Sequence, residues 1–98
     1  MCIRDRNKYV EAENFFKKIV ILKPNAENNY IYGNIQKRLK NYNEACQYFL
    51  KAINLKPDYS EAYNNLGNTK LKLGFTDEAV DNYKNAISSN KNLSLIHI

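Results

Sequence analysis

The 98-residue sequence contains no tryptophan, one histidine, one methionine, two cysteines, two prolines and three glycines. Each scarcity closes a route. A single histidine, His97, offers no imidazole pair to a metal and no base for a nucleophile elsewhere in the chain. Two cysteines, Cys2 and Cys46, cannot make a disulfide framework. No apolar run reaches the roughly 18 residues that a membrane-spanning helix needs. The stretch "GNTKLKLG" is not a phosphate-binding loop, because neither Gly67 nor Gly74 is followed by Lys and then Ser or Thr.

The two ends remove most of what chemistry is left. MCIRDR can be written ATG TGT ATA AGA GAC AGN, and the reverse complement of its first seventeen bases, CTG TCT CTT ATA CAC AT, encodes Leu93 to His97 and the start of an Ile codon. Inverted copies of one DNA segment are what ligation between two copies of an adaptor leaves, and this pair resembles a transposon end used in library preparation. Residues 1–6 and 93–98 are therefore read as adaptor-derived and set aside from fold reasoning. What remains, 7–92, has no histidine, one cysteine (Cys46) and thirteen basic against nine acidic residues, a net charge of +4. No metal site, disulfide or cofactor motif is expected. The sequon at Asn92 depends on Ser94 and belongs to the same scar. With Met1 not taken as the natural start, the compartment stays open.

What the chain has is an internal repeat. A shift of 33 carries Tyr9, Glu11, Ala12, Phe16, Lys18, Leu22, Lys23 and Pro24 onto Tyr42, Glu44, Ala45, Phe49, Lys51, Leu55, Lys56 and Pro57. A shift of 34 carries Gly33, Asn34, Leu39, Glu44, Ala45, Ala52 and Ile53 onto Gly67, Asn68, Leu73, Glu78, Ala79, Ala86 and Ile87. The change of register falls between Pro24 and Gly33. It belongs in a connector, since inside a helix one inserted residue would rotate every later side chain by about 100°.

Within each unit Ala45, Phe49, Ala52 and Ile53, and likewise Ala79, Tyr83, Ala86 and Ile87, stand at i, i+4, i+7 and i+8 and make one apolar helical stripe. Ala12, Phe16, Ile19 and Val20 repeat it, which overrides the strand-like look of "FFKKIVIL". Pro24, Pro57 and Gly74 stop helices. Asp58 with Glu61 has the form of a capping box, Thr76 reads as an N-cap, and Asn41 is expected to accept the turn after Lys40, which stands where the next unit has Gly74. The spans predicted are 7–22, 26–39, 43–55, 59–73 and 76–89.

These residues resemble the tetratricopeptide-repeat (TPR) family, whose 34-residue pattern is W-x2-L-G-x2-Y, A-x3-F, P. The last unit meets it with Tyr63, Leu66, Gly67, Ala79 and Tyr83; the middle unit with Tyr32, Gly33, Ala45, Phe49 and Pro57; the first with Ala12, Phe16 and Pro24. Departures are Asn29 at the large aromatic, Gln36 and Lys70 at the Tyr, and Lys91 at the last Pro; neighbouring Tyr30 is expected to enter the space left at Asn29. The resemblance implies an all-α fold of antiparallel helix-turn-helix repeats stacked as a right-handed α-solenoid: 7–25 as the second helix of a truncated repeat, then repeats at 26–59 and 60–92.

It also implies a binding module rather than an enzyme, with the first helix of each pair lining a concave groove. The groove residues would be Tyr30, Asn34, Lys37 and Arg38 from one repeat and Asn64, Asn65, Asn68 and Lys72 from the next. Side-chain amides donate and accept, so they can pair with a peptide group whatever side chain lies beside it, and the basic residues would attract an acidic partner. Asn34 and Asn65 match two places of the family's carboxylate clamp, but Tyr30 stands where its first lysine would be, so no clamp is assigned. Two other readings accompany this one: a substrate-recruiting arm of a larger glycosyltransferase or sulfotransferase, and nucleic-acid binding. The second is disfavoured because the lysines are spread over both helices of every repeat instead of forming a stripe. Codons rich in A and T would by themselves produce many Asn, Lys, Ile and Tyr.

Overall fold

The computed structural model describes the backbone of residues 2–89 and the side chains of residues 8–89. Five helices follow one another: α1 (Cys2–Leu22), α2 (Ala26–Arg38), α3 (Tyr42–Leu55), α4 (Ser60–Leu73) and α5 (Thr76–Ser89). Among the described residues there is no strand. Helix α1 begins five residues before the expected position, nothing in the segment from Cys2 to Arg6 being a helix breaker. Expectations for residues 90–98, and for side chains before residue 8, lie outside the described residues.

Each prolyl connector ends a helix two residues before its proline, at Leu22 and at Leu55. After Pro24 the entry to α2 is capped by Asn25, whose Oδ1 accepts from the Asn28 N–H at 2.8 Å. The entry to α4 differs from expectation: its N-cap is Tyr59, without a side-chain capping bond, and not Asp58. Tyr59 is buried, with its ring 4.9 Å from that of Tyr30, so core packing and not capping chemistry sets this boundary. Thr76 likewise lies inside α5 as its first residue.

The turns within the two complete hairpins need one left-handed residue each. Gly74 supplies it at φ 89°, and in the earlier turn Lys40 itself adopts φ 67°, leaving Asn41 at an ordinary φ of −87°. Asn41 is engaged elsewhere. Its Nδ2 donates to Gln36 Oε1 at 2.8 Å. In the next repeat the corresponding pair is Phe75 and Lys70, with the ammonium 5.3 Å from the ring centroid. Both departures from the family's Tyr are thus matched by a change in the residue after the turn. Gln36 also donates to Glu13 Oε2 at 3.2 Å, an acceptor shared with the Tyr32 hydroxyl at 3.0 Å, while Lys70 pairs with Glu78 at 2.8 Å. No fully buried side-chain polar atom lacks a partner among the described residues.

The core is the seam between α3 and α4, where Ala45, Cys46, Phe49, Ala52, Ile53, Tyr59, Ala62 and Leu66 are buried together. Alanines and glycines let large rings sit against backbone: a Cβ on Gly33 would lie 2.8 Å from the Phe49 ring, and one on Gly67 2.8 Å from Tyr83. The most extensive contacts are within the hairpins α2/α3 and α4/α5; successive hairpins join through α1/α2, α3/α4 and α2/α4. Neither α1 and α3 nor α3 and α5 meet. The inner helices touch while the outer ones splay, so the stack curves with α2 and α4 on its concave side.

Candidate functional site

On α2, Tyr30, Asn34, Lys37 and Arg38 stand at i, i+4, i+7 and i+8 and share a face by helical spacing. On α4, Asn64, Asn65, Asn68 and Lys72 have similar spacing. Because α2 and α4 touch, the two stripes come side by side, and one residue joins them. Asn65 Nδ2 donates to Asn34 Oδ1 at 2.7 Å and to Tyr30 Oη at 3.0 Å. Its own main-chain carbonyl accepts from the buried Thr69 hydroxyl at 2.7 Å, one turn on. With both hydrogens of the Asn65 amide used in this way, Asn65 keeps Oδ1 as an acceptor, and Asn34, whose oxygen is taken, keeps Nδ2 as a donor.

Tyr30 belongs to the scaffold as well as to the groove. Its ring centroid is 4.9 Å from Tyr59 and 5.9 Å from Phe49, and only its hydroxyl meets the asparagines. It therefore packs toward the α3/α4 seam and not into the space at Asn29, contrary to the expectation from sequence. Tyr59, under Tyr30, escapes helical periodicity because it sits in a connector; Lys56 places its ammonium 4.7 Å from the Tyr59 ring. Burial pushes the Tyr59 phenol above its ordinary range.

The basic members gather beyond the amides. Lys37 is half-buried, and its ammonium pKa is lowered first by burial and then by the positive charges of Arg38 and Lys72, so Lys37 stands within the field of both. Arg38, Lys72 and Asn64 are exposed. Asn68 is committed to the scaffold, since its Oδ1 accepts the Tyr83 hydroxyl and ties it to the α4/α5 seam. Cys46 is buried and burial raises its thiol pKa, against the smaller opposing pull of Lys70, which suits an inert packing residue. Among the described residues no group of three His, Cys, Asp or Glu could hold a metal ion, and no helix is long and apolar enough to cross a membrane.

Comparison with protein families matches a TPR repeat over residues 33–74 and a tetratricopeptide repeat over residues 60–93, together well over half of the sequence. The chain belongs to the tetratricopeptide-repeat family. Among relatives of this TPR chain, heat shock protein STI1 of Saccharomyces cerevisiae is 33% identical over 94 residues, covering 90% of this chain and 15% of STI1. Human protein O-mannosyl-transferase TMTC3 is 37% identical over 70 residues, covering 68% of this chain and 8% of TMTC3. The TPR stack superposes on crystallised MamA with a TM-score of 0.82 at 23% identity, covering 89% of this chain and 52% of that one. A second MamA structure gives 0.81 at 30% identity over 85% of this chain and 46% of its own. The chain thus spans a small part of the two curated relatives and about half of the MamA chains.

Proposed function

We propose that this TPR chain is a protein-interaction scaffold whose concave face binds an extended peptide segment. The observation that carries the reading is the Asn65 bridge. By spending both its amide hydrogens on Tyr30 and Asn34, Asn65 fixes an acceptor on α4 opposite a donor on α2. A peptide unit offers the complementary N–H and C=O, so the pair can read main chain irrespective of side chain. Holding both amides in one orientation beforehand also reduces the ordering that binding would otherwise require. Lys37, Arg38 and Lys72 extend the face with positive charge and favour a segment carrying acidic side chains. The likeness to TMTC3, a mannosyl-transferase by name, favours a second reading at the level of the parent protein, in which the same groove recruits a polypeptide substrate for an attached transferase.

The test uses a peptide selected on the chain from a random library. Asn34→Asp keeps an acceptor for Asn65 but replaces the outward donor with an oxygen, and should weaken the peptide by at least the 0.5–1.5 kcal/mol typical of one hydrogen bond, about 2- to 13-fold. Asn65→Ala should weaken it as well, while Lys84→Ala on exposed α5 should not. Thermal melts of each variant separate lost binding from lost fold. If Lys84→Ala abolishes binding and the two asparagine variants keep it, the peptide lies on the convex side and the site assignment fails.

A further inference from the structure

The concave face carries charge in a pattern that the asparagine bridge does not use. Glu27 in the first turn of α2 and Glu61 in the first turn of α4 are partners under the 34-residue shift, and so are Arg38 and Lys72 in the last turns of the same two helices. Helical spacing puts Glu27 on the stripe of Tyr30, Asn34 and Arg38, and Glu61 on that of Asn65, Asn68 and Lys72. All four charged residues are exposed. The two carboxylates share a neighbourhood, since both act on the Tyr59 phenol, whose ring lies against Tyr30. At the other end Arg38 and Lys72 both act on Lys37. Among the described residues the one ion pair is Lys70 with Glu78, so none of these five charges is neutralised within the chain. Glu61 accepts from the adjacent Ser60 hydroxyl at 3.4 Å, and Lys56, with its ammonium 4.7 Å from the Tyr59 ring, is paired with neither carboxylate.

Helix dipoles do not account for the basic edge. A cation near a helix C-terminus complements the dipole on whichever side of the stack the helix lies. Yet α1, α3 and α5 have no basic residue in the last turn, while α2 and α4 have two each. Three of those four, Lys37, Arg38 and Lys72, belong to the groove. The bases follow the inner face and not the helix end.

We propose that the groove is polarised across its width, and that it takes a segment with a basic side chain at the Glu27 and Glu61 edge and an acidic side chain, about five residues away, at the Lys37, Arg38 and Lys72 edge. This order of charge presupposes the peptide-binding reading of the face and adds orientation to it. Glu27 and Arg38, like Glu61 and Lys72, are separated along the helix by about 16 Å, at roughly 1.5 Å per residue. An extended chain covers that distance in about five residues. The asparagine bridge stands between the two edges, where it meets the main chain of the segment. Because the charges recur at one register in both repeats, the polarity runs across the groove and not along it. A segment acidic at both ends would set a carboxylate beside Glu27 and Glu61, and juxtaposed like charges reject it. The partner is an extended segment of mixed charge.

The random peptide library is selected on the full chain, on a Glu27→Gln and Glu61→Gln double variant and on an Arg38→Gln and Lys72→Gln double variant, and the captured sequences are compared. The parent should enrich a Lys or Arg with an Asp or Glu about four to six positions away. The first variant should lose enrichment of the basic residue and keep the acidic one; the second should do the reverse. A peptide from the parent pool should bind either variant about 2- to 30-fold more weakly, the loss expected for two exposed charge partners. Thermal melts check that the fold is kept, and should a double variant melt early, Glu61→Gln and Lys72→Gln alone decide. Captured peptides without the charge pair, or the same sequences from all three chains, overturn the proposal. If those peptides still lose affinity on Asn34→Asp, the peptide-binding reading survives without it. If the charge pair is enriched and follows the two edges but Asn34→Asp has no effect, the polarity stands and the main-chain reading falls. Capture of no peptide overturns both.

Discussion

Replacing Gly33 by alanine tests whether the close approach of helix backbone to ring holds the hairpins together. The added Cβ would stand 2.8 and 2.9 Å from two carbons of the Phe49 ring and 3.3 Å from a third. Carbon atoms rest about 3.5–4.0 Å apart, so the ring and α2 would have to separate by several tenths of an ångström. Phe49 is wholly buried between Ala45, Ala52 and Ala62 and has nowhere to go. Overpacking of this kind costs about 1–3 kcal/mol, while alanine in place of glycine within a helix returns up to about 1 kcal/mol. Crowding wins, and a net loss of about 1–2 kcal/mol is expected; each kcal/mol lowers Tm by about 4–8 °C in a domain of this size. Gly67→Ala meets Tyr83 at a similar 2.8 Å, but that ring is only half-buried and can swing outward, so its net loss should be smaller, about 0–1 kcal/mol. Melts followed by circular dichroism measure both, and a Phe49→Leu background should remove most of the Gly33→Ala penalty if the contact is its cause. A Gly33→Ala chain as stable as the parent, or one less affected than Gly67→Ala, would refute the reasoning.

Glu13→Ala should cost about 1–3 kcal/mol, because it strands the Tyr32 hydroxyl and the Gln36 amide, the latter only 1% exposed, and Glu13→Gln should cost less because an oxygen acceptor remains; denaturant titration of the two variants checks the order. Burial, with the Glu13 hydrogen bond and charge behind it, pushes the Tyr32 phenol far above its ordinary value, and burial raises Tyr59 as well. Since unfolded tyrosines ionise near pH 10, the stability these two phenols contribute is complete below about pH 10 and is lost as pH rises toward their folded values. An absorbance titration of tyrosinate run beside circular dichroism should therefore show part of the tyrosine signal arriving with helix loss; all eight tyrosines ionising reversibly near pH 10 with helicity intact would contradict it.

The helices were readable because three copies of one stripe vote together, and because Pro24, Pro57 and Gly74 punctuate them. What the sequence concealed lies where tertiary contacts overrule local preference. Asp58 and Glu61 have the spacing of a capping box, yet burying the Tyr59 ring against Tyr30 moves the start of α4 past it. Asn41 is the better left-handed residue by intrinsic preference, but its amide is needed at Gln36 and the strained φ passes to Lys40. In the groove, spacing alone brought Asn34 and Asn65 onto one surface. It could not show that they bond to each other, nor that Asn68, with the same residue type and register as Asn34, is taken by Tyr83. Those outcomes depend on which neighbour is within 3 Å, and a periodic pattern holds no such distance.

Every helix in this stack touches only helices one or two places away in the sequence. Nothing joins one end to the other as a barrel's last strand joins its first. A duplication or loss of one 34-residue unit therefore leaves every surviving interface with the same partner it had before, provided the cut falls at the same register in both copies. Evolution can treat length as a variable separate from sequence, adding groove by the unit as a ladder gains rungs. The 33-residue step between Pro24 and Pro57 marks where one such unit differs in length, in a connector, where a missing residue alters the angle between neighbours without reordering the side chains on either.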